Sequence, residues 1–250
     1  MKNSGERTRN GKYGRMNYLE IFKGKRVLIT GHTGFKGGWL ALWLHSIGAE
    51  VAGYSLDPLY REGIFCSAEI HELIRDYRGD IRNLEEIKQL INSFQPEFVF
   101  HLAAQPIVLH GYHNPVETFE VNVQGTVNIL EAIRLTSSVK VAVIVTTDKC
   151  YQNMECPWGY REIDPLGGNE PYSASKGAAE LVVNAYRRSY FSDGRIVGLA
   201  SVRAGNVIGG GDFSENRLVP DIIKAIKDSR TIEIRNPHSI RPWQYVLEPL

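Results

Sequence analysis

A tyrosine and a lysine four residues apart, Tyr172 and Lys176, could carry acid–base chemistry. The local pattern predicts a helix over 171–191, and this spacing puts both side chains on one helix face. Because an ammonium stabilises a neighbouring phenolate, we expect a pKa of Tyr172 lowered towards neutrality, which suits removal of an alcohol proton. Tyrosine and lysine are also common neighbours on helix surfaces, so the pair needs support from the rest of the chain.

Support comes from a hydroxyl, an acid and an amine in direct succession, Thr147-Asp148-Lys149. They follow an almost continuously β-branched run over 139–145, which predicts a central strand of a parallel sheet. Ligands bind at the carboxyl ends of such strands, so these residues are candidate catalytic groups. The alternative is that they are ordinary polar turn residues. His101, at the end of another predicted strand, is expected to be a packed histidine rather than a catalyst.

A glycine-rich stretch, Gly31-His-Thr33-Gly34-Phe35-Lys36-Gly37, joins a β-branched run to an apolar helical pattern. It predicts a strand, a tight turn at Gly31 and a helix that packs closely at Gly37, with Gly34 admitting a diphosphate. The free N–H groups of the first helical turn would face that anion. The spacing is G-x-x-G-x-x-G rather than the commoner G-x-G-x-x-G, so a purely structural turn is the alternative.

Further cofactor contacts are expected at the ends of the next two strands. An acid after the second strand commonly grips the adenosine ribose, and here Ser55 stands near that position with Asp57 two residues later. Asp57 is therefore either a ribose ligand or a turn residue, and NAD is favoured without excluding NADP. Asp80 could accept from an adenine amino group and Ile81 could cover the ring, while the same block could also cap a helix over 84–94.

Two more features complete the candidate cofactor site. Small residues after the predicted fourth strand leave room for a ligand. Asn122 lies inside a helix predicted over 116–136, where an asparagine is usually solvated or bent into local hydrogen bonding. The candidate cofactor-binding residues are Gly31, Thr33, Gly34, Phe35, Lys36, Gly37, Asp57, Asp80, Ile81, Leu102, Ala103, Ala104, Asn122, Tyr172 and Lys176.

The elements that must position these residues alternate between strand and helix. This alternation predicts the α/β class and a Rossmann-type, doubly wound parallel sheet with right-handed crossovers. We place the NAD-binding domain at 21–202. Residues 1–20 begin with a polar stretch without periodicity and are predicted to be a disordered extension. Translation could start at Met1 or at Met16.

The composition argues against several classes of partner and site. With 29 Lys+Arg against 28 Asp+Glu, neither nucleic acid nor an anionic membrane is expected as the main partner. The cysteines, Cys66, Cys150 and Cys156, lack a metal-binding spacing, so we expect no metal and free thiols in a reducing cytosol. No apolar run approaches a membrane span or resembles a secretory segment, which favours a cytoplasmic protein.

Five longer motifs resemble one enzyme family over nearly the whole chain from Gly24 onwards. They occupy 31–37, 147–151 (Thr-Asp-Lys-Cys-Tyr), 158–162 (Trp-Gly-Tyr-Arg-Glu), 203–212 (Arg-Ala-Gly-Asn-Val-Ile-Gly-Gly-Gly-Asp) and 239–250 (Ser-Ile-Arg-Pro-Trp-Gln-Tyr-Val-Leu-Glu-Pro-Leu). With Tyr172 and Lys176 they resemble extended short-chain dehydrogenases/reductases, and among these the CDP-glucose 4,6-dehydratase family. Thr-Asp-Lys is the discriminating motif, since dTDP-glucose dehydratases carry Thr-Asp-Glu there and simple epimerases lack the acid–base pair.

The resemblance implies a hydro-lyase that converts CDP-glucose to CDP-4-keto-6-deoxyglucose for deoxysugar and O-antigen precursors. In the family mechanism Tyr172, helped by Lys176 and Thr147, removes the 4-hydroxyl proton while C4 delivers hydride to bound NAD. The 4-ketone acidifies the proton at C5, which Lys149 or a neighbour accepts. Asp148 protonates the departing 6-hydroxyl, and hydride returns to C6. Lys176 also hydrogen-bonds the cofactor ribose.

The resemblance also implies a homodimer that pairs the helices over 116–136 and 171–191, and a smaller substrate lobe that begins at 203–250. The arginines of this region suit a diphosphate. The candidate substrate-binding residues are Gln105, Asn206, Arg217 and Arg241.

Two departures from the family pattern qualify this expectation. Leu109 and Gly111 stand where the family usually carries an Arg and a Ser, and the chain stops at Leu250 where family members continue. The chain is then either a fragment of a longer protein or a truncated product. Two alternative functions follow: an NAD(P)-dependent nucleotide-sugar epimerase or reductase, and a catalytically inactive cofactor-binding module.

Overall fold

The computed structural model describes residues 18–192 and 197–250. The predicted extension 1–20 therefore lies outside the described residues except for its last three, which begin the 3-10 helix Tyr18–Phe22. The alternative start positions Met1 and Met16 lie outside them too.

Six parallel strands form the central sheet. In chain order they are β1 (Arg26–Thr30), β2 (Glu50–Ser55), β3 (Arg75–Arg78), β4 (Phe98–His101), β5 (Val141–Val145) and β6 (Gly198–Val202). Their spatial order is β3-β2-β1-β4-β5-β6, with every neighbouring pair parallel. The winding direction reverses between β1 and β4, which is the doubly wound, Rossmann-type topology predicted from the sequence.

Helices connect the strands and cover both faces of the sheet. They are α1 (Phe35–Ser46), α2 (Ile64–Ser67), α3 (Ile70–Leu73), α4 (Leu84–Phe94), α5 (Val108–His113), α6 (Pro115–Phe119), α7 (Gly125–Arg134) and α8 (Pro171–Tyr190). The N-cap of α4 is Asn83, whose side chain accepts from Glu86 N at 3.3 Å. The predicted helix over 84–94 is thus confirmed.

Two apolar clusters hold the layers together, one on each face of the sheet. Leu28, Val99 and Ala142 are paired across adjacent strands and belong to the cluster under α4 and α7. Val27 and Ile29 alternate with Leu28 along β1 and belong to the other cluster, with α1 and α2. Because both faces are covered, β1 is a continuous apolar run rather than an alternating one.

The helix predicted over 116–136 is continuous but not uniformly α-helical. Between α6 and α7 the chain forms a π-helical segment, Glu120–Gln124. Asn122 lies at its centre and is 1% exposed. Since π turns within helices are often found at functional sites, this segment singles out Asn122 for closer inspection.

Beyond β6 the chain forms β7 (Asn206–Ile208), α9 (Leu218–Lys227) and β8 (Trp243–Tyr245). β7 and β8 pair in parallel as a separate two-stranded sheet. In residues 203–250, all of which are described, only Ala225 and Val246 are buried. Within the described parts of the chain, no helix combines the length and the apolarity that crossing a bilayer requires.

Candidate active site

The predicted site residues meet at the carboxyl edge of the sheet, where β1 and β4 end side by side. Leu102 N donates to Thr30 O at 3.0 Å, and Ala103 N donates to Thr30 Oγ1 at 3.3 Å. Ala104 follows in the same loop. Because the winding reverses between these two strands, this edge contains the switch point at which open α/β sheets bind ligands.

The glycine loop after β1 is shaped by backbone contacts that leave no space for side chains. Gly31 has a φ of +79°, and a Cβ there would lie 2.6 Å from Ala103 N. A Cβ on Gly37 would overlap the carbonyl oxygen of Gly31. Gly34 is the N-cap of α1 and makes no side-chain cap. The amides of the first turn, at Phe35 and Lys36, therefore remain available to an anion.

A hydroxyl at the end of β2 meets a hydroxyl of the glycine loop. The hydroxyl oxygens of Thr33 and Ser55 lie 2.8 Å apart, and Thr33 Oγ1 also donates to Leu56 O at 3.1 Å. Asp57 lies further out, with a side chain 89% exposed and Oδ1 3.6 Å from Arg78 Nε. The predicted ribose contact of Asp57 thus remains a prediction, and the hydroxyl pair stands closer to the loop.

Asp80 and Ile81, whose adenine contacts stay predictions, make further contacts within the chain. Arg82 Nε donates to both carboxylate oxygens of Asp80 at 3.0 Å, and this hydrogen bonding lowers the pKa of Asp80. Ile81 is 5% exposed and packs on Gly125, where a Cβ would lie 2.7 Å from its Cγ2. Arg82 therefore stabilises the charged form of the carboxylate.

Asn122 and Gln105 hydrogen-bond each other, and their predicted contacts with cofactor and substrate stay predictions. Asn122 Oδ1 accepts from Gln105 N at 2.9 Å, and its Nδ2 donates to Gln105 O at 3.1 Å and to Ser175 Oγ at 2.9 Å. Gln105 Nε2 donates to Thr118 Oγ1 at 2.9 Å, and its Oε1 accepts from Ile107 N at 2.6 Å. The Asn122 side chain thus connects the loop after β4 to α8.

Tyr172 and Lys176 lie one turn apart at the start of α8, 7% and 6% exposed. Lys176 Nζ donates to Val145 O at 3.5 Å, at the end of β5. Burial lowers the pKa of Lys176 to about 8, and the charge of Lys36 adds to the effect.

The predicted lowering of the Tyr172 pKa is wrong for the chain alone. Burial raises the pKa of Tyr172 to about 12, while hydrogen bonding with Thr147 and the charge of Arg217 act in the opposite direction. Desolvation of the phenolate outweighs these stabilising groups. In the chain alone the neutral phenol is therefore favoured.

The residues Thr147, Asp148 and Lys149, called here the 147–149 segment, form a tight turn after β5. Thr147 caps this turn: its Oγ1 accepts from Lys149 N at 3.4 Å and donates to Asp148 Oδ1 at 3.0 Å. Lys149 Nζ lies 5.9 Å from the centroid of the Tyr172 ring. The structure thus brings the three groups predicted at this strand end next to the tyrosine.

Positive charge from the C-terminal region surrounds this turn. Desolvation lowers the pKa of Lys149, Asp148 opposes the shift, and Arg241 adds to it. Arg217 forms an ion pair with Asp212 at 2.9 Å, and its charge also lowers the pKa of Lys36 after the larger effect of burial. The site is therefore suited to anionic ligands.

Two of the predicted substrate residues lie in the short sheet and its approach. Asn206 N donates to Pro242 O at 3.1 Å. Arg241 is exposed, and its Nη1 donates to Ile240 O at 3.2 Å. Both residues precede or begin paired strands, so their backbone positions are set by the β7–β8 sheet.

One buried ion pair, between Glu180 and Arg203, was not predicted from the sequence, and it contacts both flanks of the 147–149 segment. A signal was present, because Glu180 follows Lys176 by four residues and therefore shares its helix face. A buried acid at that position requires a partner.

The remaining titratable candidates are structural. His101 Nδ1 lies 2.7 Å from Thr30 Oγ1, and burial lowers the pKa of the imidazole to about 3, which confirms the predicted packed histidine. Cys66, Cys150 and Cys156 are free thiols. In the described residues, no group of three or more His, Cys, Asp or Glu side chains could hold a metal ion.

Comparisons with known proteins identify the family of this chain. The family model for GDP-mannose 4,6 dehydratase matches residues 28–249. CDP-glucose 4,6-dehydratase of Salmonella typhimurium is 52% identical over 234 residues, 92% of this chain and 65% of that protein. A probable dTDP-glucose 4,6-dehydratase of Sinorhizobium fredii is 32% identical over 235 residues, 88% of this chain and 64% of that protein.

A solved structure supports the same relationship. The dTDP-glucose 4,6-dehydratase of Streptomyces venezuelae, crystallised with NAD, has a TM-score of 0.78 and 25% identity, over 89% of this chain and 69% of that chain. The chain spans about two thirds of the length of the curated relatives it matches. Since the family model covers nearly all of the sequence, the chain belongs to the GDP-mannose 4,6 dehydratase family.

Proposed function

We propose that the protein is an NAD-dependent CDP-glucose 4,6-dehydratase, which forms CDP-4-keto-6-deoxyglucose as a precursor of deoxysugars. The observation that carries the proposal is the position of Lys149, with Asp148 beside it, 5.9 Å from the ring of Tyr172. An oxidation at C4 needs only the tyrosine, whereas elimination of water needs an additional acid and base. The 52% identical relative carries the same activity in its name.

The glycine loop fits the diphosphate of NAD. A Cβ on Gly31 or Gly37 would overlap neighbouring backbone, and Gly34 leaves the first turn of α1 without a side-chain cap. Phe35 and Lys36 would donate their amides to the diphosphate, and Thr33 and Ser55 would meet the adenosine ribose. Lys176 would hydrogen-bond the second ribose. When bound, NAD would take a hydride from the sugar at C4 and return it at C6.

The residues of the chain supply the proton transfers at C4. Tyr172 would accept the proton of the 4-hydroxyl, with Thr147 and Lys176 holding the phenol oxygen. Burial raises the pKa of Tyr172 to about 12 in the chain alone, while hydrogen bonding with Thr147 favours the phenolate. Lys176, whose pKa burial lowers to about 8, would stabilise with its ammonium form the Tyr172 phenolate that accepts the proton.

Elimination would use the 147–149 segment. Lys149, whose pKa is lowered first by burial, is suited to accept the C5 proton once the 4-ketone has acidified it. Asp148 would protonate the departing 6-hydroxyl, and its contact with Thr147 Oγ1 holds the carboxyl in place. An acid and a base on adjacent residues of one turn can act on adjacent carbons.

Substrate recognition would fall to the C-terminal region. Arg217 and Arg241 would contact the diphosphate of CDP-glucose, since a guanidinium binds phosphate oxygens in pairs. Asn206 would complete the pocket from the start of β7. Gln105 would line the pocket from the loop after β4, where hydrogen bonds to Thr118 and Ile107 fix its side chain.

We also propose a cytoplasmic homodimer. Its interface would use α6 and α8, which expose Val116 (70%), Phe119 (40%) and Leu181 (61%). Apolar side chains at these levels of exposure on two adjacent helices are typical of a surface that a partner covers. The free thiols suit a reducing compartment.

The test is conversion of CDP-glucose by the purified protein with added NAD, followed by NMR of the C6 methyl group. We expect the methyl signal without any added reductant, and its loss in Lys149→Met. Lys140→Met is the matched control, because Lys140 lies at the opposite end of β5 with 67% of its side chain exposed. Formation of a C4 epimer that keeps the 6-hydroxyl would contradict the proposal and favour an epimerase.

A further inference from the structure

The ion pair between Glu180 and Arg203 is nearly closed to solvent, with side chains 4% and 16% exposed. Arg203 Nε donates to Glu180 Oε1 at 3.0 Å, and Nη2 donates to Oε2 at 2.8 Å. This is the two-pronged geometry that fixes both partners in direction as well as distance.

Glu180 also gathers the ends of two strands. Thr146 Oγ1 donates to Oε1 of the carboxylate, and Ser201 Oγ donates to Oε2 at 2.7 Å. Thr146 is the residue between β5 and the 147–149 segment, and Ser201 belongs to β6. The carboxylate therefore accepts four hydrogen bonds. It connects Thr146, the residue before the 147–149 segment, to β6.

Arg203 contacts Tyr151, the second residue after the 147–149 segment. Its Nη1 donates to Tyr151 OH at 2.7 Å, and its guanidinium carbon lies 4.8 Å from the centroid of that ring. Tyr151 in turn stacks on Tyr160, with centroids 5.1 Å apart and an interplanar angle of 15°. One ion pair thus holds the residue before the segment and the second residue after it.

The same pair relates the segment to the tyrosine–lysine face of α8. Glu180 lies one helical turn after Lys176 and two turns after Tyr172, so all three share a face. Any shift of the segment against α8 would have to break hydrogen bonds to a buried carboxylate. Stability alone does not explain the pair, because apolar side chains of similar volume often replace buried ion pairs without loss.

We propose that Glu180 and Arg203 are positioning residues, which hold Asp148 and Lys149 at the distance from Tyr172 that elimination requires. They touch no reacting atom and act through Thr146 and Tyr151. The functional part of this inference rests on the proposed dehydratase activity, whereas the structural part, the immobilisation of the 147–149 segment, does not.

The decisive variant is the apolar double substitution Glu180→Leu/Arg203→Met, which removes the pair without leaving a buried charge. We expect a folded protein with an unchanged Tm within a few degrees, a kcat for CDP-glucose lowered by roughly 10²-fold and a nearly unchanged KM, because misplacement of catalytic groups by about 1 Å has effects of this size. Arg203→Lys, which keeps the charge but not the fork, should lose less.

A second readout does not need turnover. Hydrogen exchange at the amides of Asp148 and Cys150, which donate to Ala204 O and Thr147 O, should accelerate in the double variant. Exchange in α1 should stay unchanged. The matched control is Glu50→Leu/Arg75→Met, which removes an exposed pair at the amino edge of the sheet and should alter neither readout.

The outcomes separate the two proposals. A folded double variant with wild-type kcat and wild-type exchange would overturn the positioning role. If the wild type fails to convert CDP-glucose, the proposed function is wrong, and the exchange measurement still decides whether the pair immobilises the segment. If the double variant does not fold, Arg203→Lys provides the same comparison with the charge retained.

Discussion

Residues 26–202 bury apolar side chains on both faces of the sheet, whereas residues 203–250 bury only Ala225 and Val246. Both regions also expose large apolar side chains, among them Leu59 at 88% in the first and Ile240 at 93% in the second. The candidate catalytic residues all belong to the first region, and the arginines proposed for the substrate belong to the second. The comparison suggests that acid–base geometry rests on a dense core and recognition on a sparsely packed surface.

The largest effect that would test this division is expected at Tyr172. Tyr172→Phe should lower kcat by roughly 10³-fold, within the range of general acid–base groups, because phenylalanine lacks the hydroxyl proposed to accept the 4-hydroxyl proton. Affinity for NAD, measured by calorimetry, should stay within a few-fold. A wild-type kcat in this variant would show that Tyr172 takes no part in the proton transfer. It would then contradict the assignment of the acid–base chemistry to the first region.

The next largest effect concerns packing. Ile133→Ala removes a fully buried side chain and should lower the free energy of unfolding by about 3 kcal/mol. Ile226→Ala, the same substitution on exposed α9, should change it by less than about 0.5 kcal/mol. Urea unfolding of both variants measures the difference, and equal losses would show that the two regions are equally well packed.

A smaller effect is expected from one methyl group in the glycine loop. In Gly37→Ala the new Cβ would overlap Gly31 O, so we expect a loss of about 2 kcal/mol in unfolding free energy and weaker binding of NAD. Gly210→Ala is the control in the second region, since no described atom lies within 4 Å of its Cβ position. Unchanged NAD affinity in Gly37→Ala would argue against the loop as the diphosphate site.

The smallest effect concerns His101 and the dependence of the free energy of unfolding on pH. The pKa of His101 is about 3 in the folded chain against an ordinary 6.5, so only the unfolded chain binds a proton between these values. The contribution of His101 is complete above pH 6.5 and is lost as the pH falls towards 3, by about 1.4 kcal/mol per pH unit.

His101→Gln should therefore flatten the stability profile between pH 6.5 and pH 4, measured by urea unfolding at several pH values. The matched control is His238→Gln, which replaces an exposed histidine of the second region and should leave the slope unchanged. An unaltered slope in His101→Gln would mean that other groups set the acid sensitivity of the first region.

Much of the fold could be predicted because it depends on local pattern. The β-branched run before Gly31 and the apolar periodicity after it are enough to define β1 and α1, and the alternation that follows defines the parallel sheet. The spacing of Tyr172 and Lys176 on one helix likewise determines that they share a face. These features need no knowledge of distant contacts.

The sequence did not reveal the partners of side chains whose contacts are distant along the chain. Asn122 was a candidate cofactor ligand, and in the structure it contacts Gln105 and Ser175. Ile81 was expected against an adenine, and in the structure it packs on Gly125. No local pattern reveals that such groups are already engaged.

By itself, the sequence determined the strand–turn–helix at the glycine loop, the parallel sheet and the family, because periodicity, glycine spacing and short motifs are properties of neighbouring residues. Only the tertiary structure decided that burial raises the pKa of Tyr172 to about 12 rather than lowering it, and that Glu180 and Arg203 enclose the 147–149 segment. The reason is physical: desolvation and ion pairing depend on which distant groups displace water from a side chain.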